Sequence, residues 1–382
     1  MTAETAGELN IAYGLNGVVV DDTRICLVNG TEGKLWYYGY DILDLAEKCS
    51  YEEVVHLLLK GRLPDAKQLE EIDKELKNAR GLPDKVLETI EHAPETSIPM
   101  DVLRTCASQV ALTDPNPGDS SNESRYSKAL RLIALMPEIV AADYRKRRGQ
   151  SPITADPELG HAANFLYMLH GEKPRPDAAK TMDVALVLHA EHGFNASTFT
   201  ARVVAATLSD MYSAVTAAIG ALKGPLHGGA NEGVIKLLLD IREPGNIESY
   251  LDEKLSQKGF RVMGFGHRVY KVLDPRAIVL KRYSERTGKE AGNTKWFEMS
   301  DAIEKFMLTR EKPLYPNVDF YSASTYYTMG LPPEIFTPIF AVSRVSGWCA
   351  HVIEQQNHNK LIRPKAHYAG EIGLEFKPID QR

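Results

Sequence analysis

The chain has 382 residues, 43% of them hydrophobic and 25% charged, with a formal net charge of -6 at pH 7. That apolar fraction supports a full core and excludes a disordered chain, and the length predicts two domains or one with an insertion. The acidic balance excludes bulk attraction to nucleic acid or an anionic membrane, so an anionic ligand would have to be met by local arginines.

The opening MTAETAGELN is polar and has no apolar signal core, which predicts no secretory leader. Strand signals fall at 18–20 and 35–38. Ser50 and Glu53 form a capping box ahead of a helix over 54–59, which Gly61 stops; Asp65 and Gln68 repeat the device before a helix that runs to about Arg80. Apolar periodicity predicts further helices over 100–112, 124–148, 158–170 and 177–191. The turn-rich stretch TDPNPGDSSNE at 113–123 reads as a surface excursion. The run Arg145, Lys146, Arg147 and Arg148 ends a helix before Gly149, and a solvated helix end explains it better than a nucleic-acid site.

Helices over 197–208 and 210–222 are rich in alanine, serine and threonine, which suits close packing in the core or across a subunit interface. Asp210 interrupts the best apolar run, so no membrane span is expected. Segments 231–239, 247–258, 275–286, 295–309 and 335–354 complete a fold that is all-α with minor β near the N-terminus. No internal repeat is evident. Glycines at 228–229 and the GLPP stretch at 330–333 divide the chain into a large domain, 1–228 plus 331–382, and a small inserted domain, 229–330. A cleft between two such domains suits water-excluding chemistry.

Chemistry-bearing side chains sit at the breaks. In GPLHGGANE (224–232), His227 follows a proline and precedes a helix, where a neutral imidazole could donate to a developing oxyanion or could merely cap the turn. In MGFGHRVYKVLDPRA (263–277), His267 follows two glycines, and Arg268 and Lys271 are available for phosphate. Arg276 opens a helix against the dipole, so its guanidinium faces an anion or else pairs with Asp274. In YPNVDFYSAS (315–324), Asp319 in an aromatic setting is a candidate base, with a helix cap as the competing reading. Arg344 lies in a mostly apolar helix and needs a partner, and Arg363 precedes a proline in LIRPKAHY. His189 and His192 lack a third ligand at metal spacing. Cys26, Cys49, Cys106 and Cys349 are scattered, as in a reducing cytosol.

Together these segments, with AEHGFNAST, SRVSGWCAH and LIRPK in the same order, resemble the citrate synthase family over most of the chain. The resemblance implies a cytoplasmic, mostly helical homodimer with no metal and no permanently bound cofactor, condensing acetyl-CoA with oxaloacetate. By position, Asp319 would take a methyl proton, His227 would hold the enolate, and His267 would act on the oxaloacetate carbonyl. His192, Arg276 and Arg344 would hold oxaloacetate, with Arg363 reaching in from the partner subunit. Phe260, Arg261, Val262, Met263 and Gly264 would line the CoA adenine site, with Arg268 and Lys271 near phosphates. A 2-methylcitrate synthase using propionyl-CoA is the near alternative, against which Leu226 and Arg268 lean toward acetyl-CoA. A helical scaffold without catalysis is the remote one. The chain's length implies a dimer rather than a regulated hexamer.

Overall fold

The computed structural model describes residues 11–15 and 17–382, so the polar opening segment lies outside the described residues. One small antiparallel sheet opens the fold, with β1 (Cys26–Asn29) paired to β2 (Lys34–Tyr37) in the register Cys26 to Tyr37, and β2 paired to β3 (Tyr40–Asp41). The expected strand at 18–20 does not form. Val18, Val19 and Val20 are exposed and unpaired, whereas Cys26 and Tyr37 find each other across a tight turn and bury their side chains. β-branched residues favour a strand only where a partner strand and a core face exist.

Sixteen helices follow among the described residues. They are α1 (Ile42–Lys48), α2 (Tyr51–Lys60), α3 (Ala66–Asn78), α4 (Asp84–His92), α5 (Pro99–Val110), α6 (Asn122–Lys146), α7 (His161–His170) and α8 (Pro176–His189). After these come α9 (Ala196–Ala205), α10 (Met211–Leu222), α11 (Ala230–Ile241), α12 (Ile247–Ser256), α13 (Pro275–Glu290), α14 (Lys295–Leu308), α15 (Val318–Thr328) and α16 (Phe336–Asn357). Both expected capping boxes are present, at Ser50 with Glu53 and at Asp65 with Gln68, and Gly61 closes α2 in the left-handed region at φ 75°. Asp210 splits the small-residue stretch by capping α10, its carboxylate receiving the Ser213 N–H at 3.0 Å, and α9 and α10 then pack on each other.

The central helix is α16, buried on every side from Phe336 to Val352 and packed by α2, α6, α8, α9 and α10. A helix that is apolar all round belongs in a core. Helices α11 to α15 pack mainly on one another, with α13 also meeting α1 and α8, and α11 meeting α16. No helix of the described residues is long and apolar enough to cross a membrane. All four cysteines are buried and unpaired.

The basic run is not a freely solvated helix end. Arg145 donates to the carbonyls of Ser151 and Leu169, Lys146 to that of Ala93, and Arg147 to Ser97 and the Asp143 carboxylate. Arg145 therefore ties the 151 and 169 segments to the end of α6, and Lys146 and Arg147 together tie the 93–97 loop to it. After Asn357 the chain is irregular and exposed to Arg382, with Ile372, Leu374, Phe376 and Ile379 each more than 70% exposed.

Candidate active site

The turn between α8 and α9 carries His192, which is buried. Its Nε2 lies 3.1 Å from the Tyr270 hydroxyl. The preceding Glu191 is fully buried, and its Oε1 receives the His351 Nε2 at 2.9 Å. Helix α16 presents Arg344, Gly347 and His351 along one face to this turn. Gly347 is required there, because a Cβ would stand 2.3 Å from both the Ala190 carbonyl oxygen and Glu191 Oε2. Arg344 is 1% exposed, lies over the Phe340 ring at 4.7 Å, and donates its Nε to the His189 carbonyl at 2.5 Å. Burial draws the Arg344 pKa down, and the Glu191 carboxylate opposes this.

A loop after α12 brings His267 to the same place. Gly264 and Gly266 have φ of 79° and 74°, and a Cβ on Gly264 would sit 2.6 Å from Val234 and 3.0 Å from the Phe320 Cα, so the loop lies flat on α15. Asn317 pins it by donating its backbone N–H to Gly264 O and its side-chain amide to Gly266 O. His267 Nδ1 receives the backbone N–H groups of Val269 and Tyr270 at 3.0 and 3.2 Å. Those groups can only donate, so the proton of the neutral ring is on Nε2. Burial, with help from Arg276, holds its pKa down to about 4. The rings of His192 and Tyr270 stand 5.1 and 4.8 Å away, and a cleft of about 210 Å³ opens between the 266–274 loop and the 313–316 segment, with His267 and Tyr270 in its wall.

Asp274 occupies one edge of the Arg276 fork. The guanidinium is held bidentately, Nε to Oδ1 at 3.0 Å and Nη2 to Oδ2 at 2.8 Å, with both side chains almost fully buried. Burial alone would lower its pKa, but Asp274 outweighs that and raises it. The pairing with Asp274 that the sequence allows is thus present, and the field of Arg276 still reaches His192, His267 and Asp319.

Asp319 lies not in a loop but in the first turn of α15, a helix that the apolar pattern does not reveal. Nor is it the cap: Asn317 is, its Oδ1 receiving the Asp319 N–H at 3.0 Å. One oxygen of the Asp319 carboxylate is buried without a hydrogen-bond partner. Burial raises its pKa to about 7, with Arg276 and Arg344 pulling down and Asp274 pushing up.

His227 lies in the turn before α11, but the helix end it meets is that of α9. Ser197, in the first turn of α9, donates its N–H to His227 Nε2 at 3.3 Å, and its hydroxyl is 2.8 Å from the same nitrogen. Trp348 holds that hydroxyl at 3.1 Å. The proton of the neutral ring is therefore on Nδ1. Burial and Arg344 bring the His227 pKa down to about 4.

Other expected residues stand further out. Arg363 is exposed in the C-terminal segment. In the 260–264 stretch Val262 and Gly264 are buried, Phe260 and Met263 are half-buried and Arg261 is exposed. Arg268 reaches the Gly14 carbonyl at 3.4 Å, and Lys271 is exposed. His189 points its Nδ1 at the Ala185 carbonyl, so it and His192 do not converge on a metal. No group of three or more His, Cys, Asp or Glu able to hold a metal occurs among the described residues. Residue types alone do not single out Tyr37, Ser197, Tyr270 or His351, which support the site from elements far apart in sequence.

Three comparisons bear on this arrangement. The family model described as citrate synthase, C-terminal domain, matches residues 14–365. A citrate synthase from Haloferax volcanii is 50% identical, over 99% of this chain and 100% of its own, and a 2-methylcitrate synthase from Mycobacterium tuberculosis is 44% identical, over 97% and 93%. Citrate synthase from the thermophilic archaeon Thermoplasma acidophilum, solved as a ternary complex with carboxymethyl coenzyme A and oxaloacetate, superimposes with a TM-score of 0.91 at 33% identity, over 98% of this chain and 100% of that one.

Proposed function

The chain belongs to the citrate synthase family, and from that premise we propose how its side chains divide the condensation of acetyl-CoA with oxaloacetate. The carrying observation is the hydrogen bonding around two buried guanidiniums: one oxygen of the Asp319 carboxylate has no partner, and backbone N–H groups occupy one nitrogen of His227 and one of His267, which leaves the other nitrogen of each neutral ring as a donor. Asp319 takes a proton from the acetyl methyl group, for which a pKa near neutrality is matched. His227 Nδ1–H donates to the thioester oxygen as it gains enolate charge. The enol carbon attacks the oxaloacetate ketone, and His267 Nε2–H donates to that oxygen and passes its proton to it as the carbon–carbon bond forms. The proton taken by Asp319 makes good the one His267 gives, so both groups return to their starting states. Water then cleaves citryl-CoA to citrate and free CoA. Neutral imidazoles suit both tasks, since each can donate without the site bearing extra positive charge.

His192 and Arg344 hold oxaloacetate, with Arg276 supplying positive field from its Asp274 pair. The half-buried 260–264 stretch lines the adenine site, and Arg268 and Lys271 stand where phosphates would pass. Segments 1–228 plus 331–382 and 229–330 act as the two domains, with His267 and Asp319 carried by the smaller one. The enzyme works as a homodimer, with Arg363 entering the partner's site. The row of exposed apolar side chains beyond residue 370 supports this, because such a stretch is better placed on a second subunit than in water. We place it in the cytoplasm.

Release of CoA thiol from acetyl-CoA and from propionyl-CoA, each with and without oxaloacetate, tests the assignment. Oxaloacetate-dependent release favouring acetyl-CoA is the expected result. A propionyl preference would move the substrate to that of a 2-methylcitrate synthase, and no release from either would leave a scaffold. One methylene in an apolar pocket is worth about 1–3 kcal/mol, so measurable turnover of the second thioester is expected as well.

A further inference from the structure

We infer that the β1–β2 hairpin is a positioning clamp for the oxaloacetate site, setting the distance between the His192 turn and the His267 loop. The contacts form a closed ring. From β2, the Tyr37 hydroxyl receives the Glu191 N–H at 3.2 Å and donates to the Glu191 carbonyl at 2.8 Å. The next residue, His192, reaches the Tyr270 hydroxyl of the His267 loop at 3.1 Å. The residue after Tyr270, Lys271, donates its backbone N–H to the Gly30 carbonyl at 2.8 Å, which returns the ring to the hairpin turn. The His267 ring packs against two members of this circuit, His192 and Tyr270.

The turn meets the loop backbone to backbone. A Cβ on Gly30 would lie 2.2 Å from the Val269 carbonyl oxygen and 2.7 Å from its carbon, and one on Gly33 would lie 2.8 Å from the Leu273 carbonyl oxygen. Backbone cannot rotate aside as a side chain can, so any substituent at Gly30 shifts the loop two residues beyond His267. Tyr37 and Gly30 touch neither the reacting atoms nor, on the assignment above, oxaloacetate itself. They act by holding the groups that do.

The inference rests on the placement of oxaloacetate against His192 and Arg344. Its test compares Gly30→Ala, Tyr37→Phe and Arg344→Leu by oxaloacetate titration calorimetry, steady-state kinetics with each substrate varied, and thermal melting. Tyr37→Phe keeps the buried ring and removes one hydroxyl, so it folds even if the glycine variant does not. The loss of the hydroxyl's two hydrogen bonds to Glu191, felt at His192 only through the backbone, predicts about fivefold weaker oxaloacetate binding in Tyr37→Phe, with the KM for acetyl-CoA held within about twofold. A loop shift on the order of 1 Å predicts about a hundredfold loss in kcat/KM for oxaloacetate in Gly30→Ala. A merely structural role would lower the melting temperature without separating the two substrates. Unchanged oxaloacetate affinity in both hairpin variants, with Arg344→Leu impaired, overturns the clamp and leaves the site assignment standing. Unchanged affinity in Arg344→Leu as well overturns the assignment and the clamp with it.

Discussion

Replacing Asp319 by asparagine should remove turnover and raise stability at the same time, and the second effect is the sharper test. The carboxylate is buried enough to lift its pKa from 3.8 to about 7. A folded-state pKa above the unfolded one means that the folded protein binds the proton more tightly. The stability this contributes is complete below pH 4 and is lost as pH rises through 7. A shift of about three units corresponds to about 4 kcal/mol at most, and the partial solvent access of the side chain reduces this to about 2 kcal/mol. A neutral amide in the same place would carry no such burden, so the variant should melt a few degrees higher, about 2–4 °C, at pH 8 and equally with the parent at pH 4. Loss of a positioned base should cost about 10²–10⁴ in kcat, while oxaloacetate affinity stays near the parent value. In the parent, kcat/KM for acetyl-CoA should rise with pH through about 7, and the histidines, held near 4, should add no second step in that range. Calorimetry at the two pH values and a thiol-release assay read these outcomes. Near-normal turnover, or a melting temperature below the parent at pH 8, would refute the reasoning.

Arg344→Leu should weaken oxaloacetate binding by about 10²-fold, the value of a charge-assisted hydrogen bond of about 3 kcal/mol, and unchanged affinity in a calorimetric titration would count against its role. Gly264→Ala forces a Cβ into Val234 and the Phe320 backbone at a φ of 79°, so it should displace α15 and lower kcat even where the melt shows a folded protein. Mixing inactive Arg363→Ala and His267→Ala preparations under subunit exchange should restore about a quarter of parental activity, since half the dimers would carry one intact site. No recovery in a verified mixed dimer would place Arg363 outside the partner's site.

Local punctuation carries most of the fold. The capping boxes at Ser50 and Asp65, the glycine stop at Gly61 and the break at Asp210 all rest on hydrogen bonds within a few residues, and all appear where expected. Helix α15 is hidden in the sequence for a physical reason. Its residues from Phe320 to Tyr326 are buried all round, so it has no polar stripe to mark a period, and its aromatic and β-branched content suits strands as well. That is why Asp319 reads as a turn residue. Val18 to Val20 mislead the other way, a strand-like run with no partner within reach. The pairing of Arg276 with Asp274 is one of two readings the sequence allows, and it cannot be chosen there, since two residues' separation says nothing of rotamer. The roles of Tyr37, Ser197 and His351 depend on contacts spanning 30 to more than 150 residues, which no local pattern encodes.

The buried cysteines give the enzyme an unusual transparency to one kind of chemistry. Burial raises the Cys26 and Cys349 thiols well beyond their ordinary range, Cys49 to about 11 and Cys106 to about 12. Near pH 8 even the most acidic of these exists as thiolate in only about one molecule per thousand, and it is shielded besides. An aromatic disulfide reagent added during turnover therefore reacts with the CoA thiol leaving the site and passes over the protein that released it. The catalyst is silent to the reagent that reports its product, and a native preparation that consumes the reagent without substrate is one whose core has already opened.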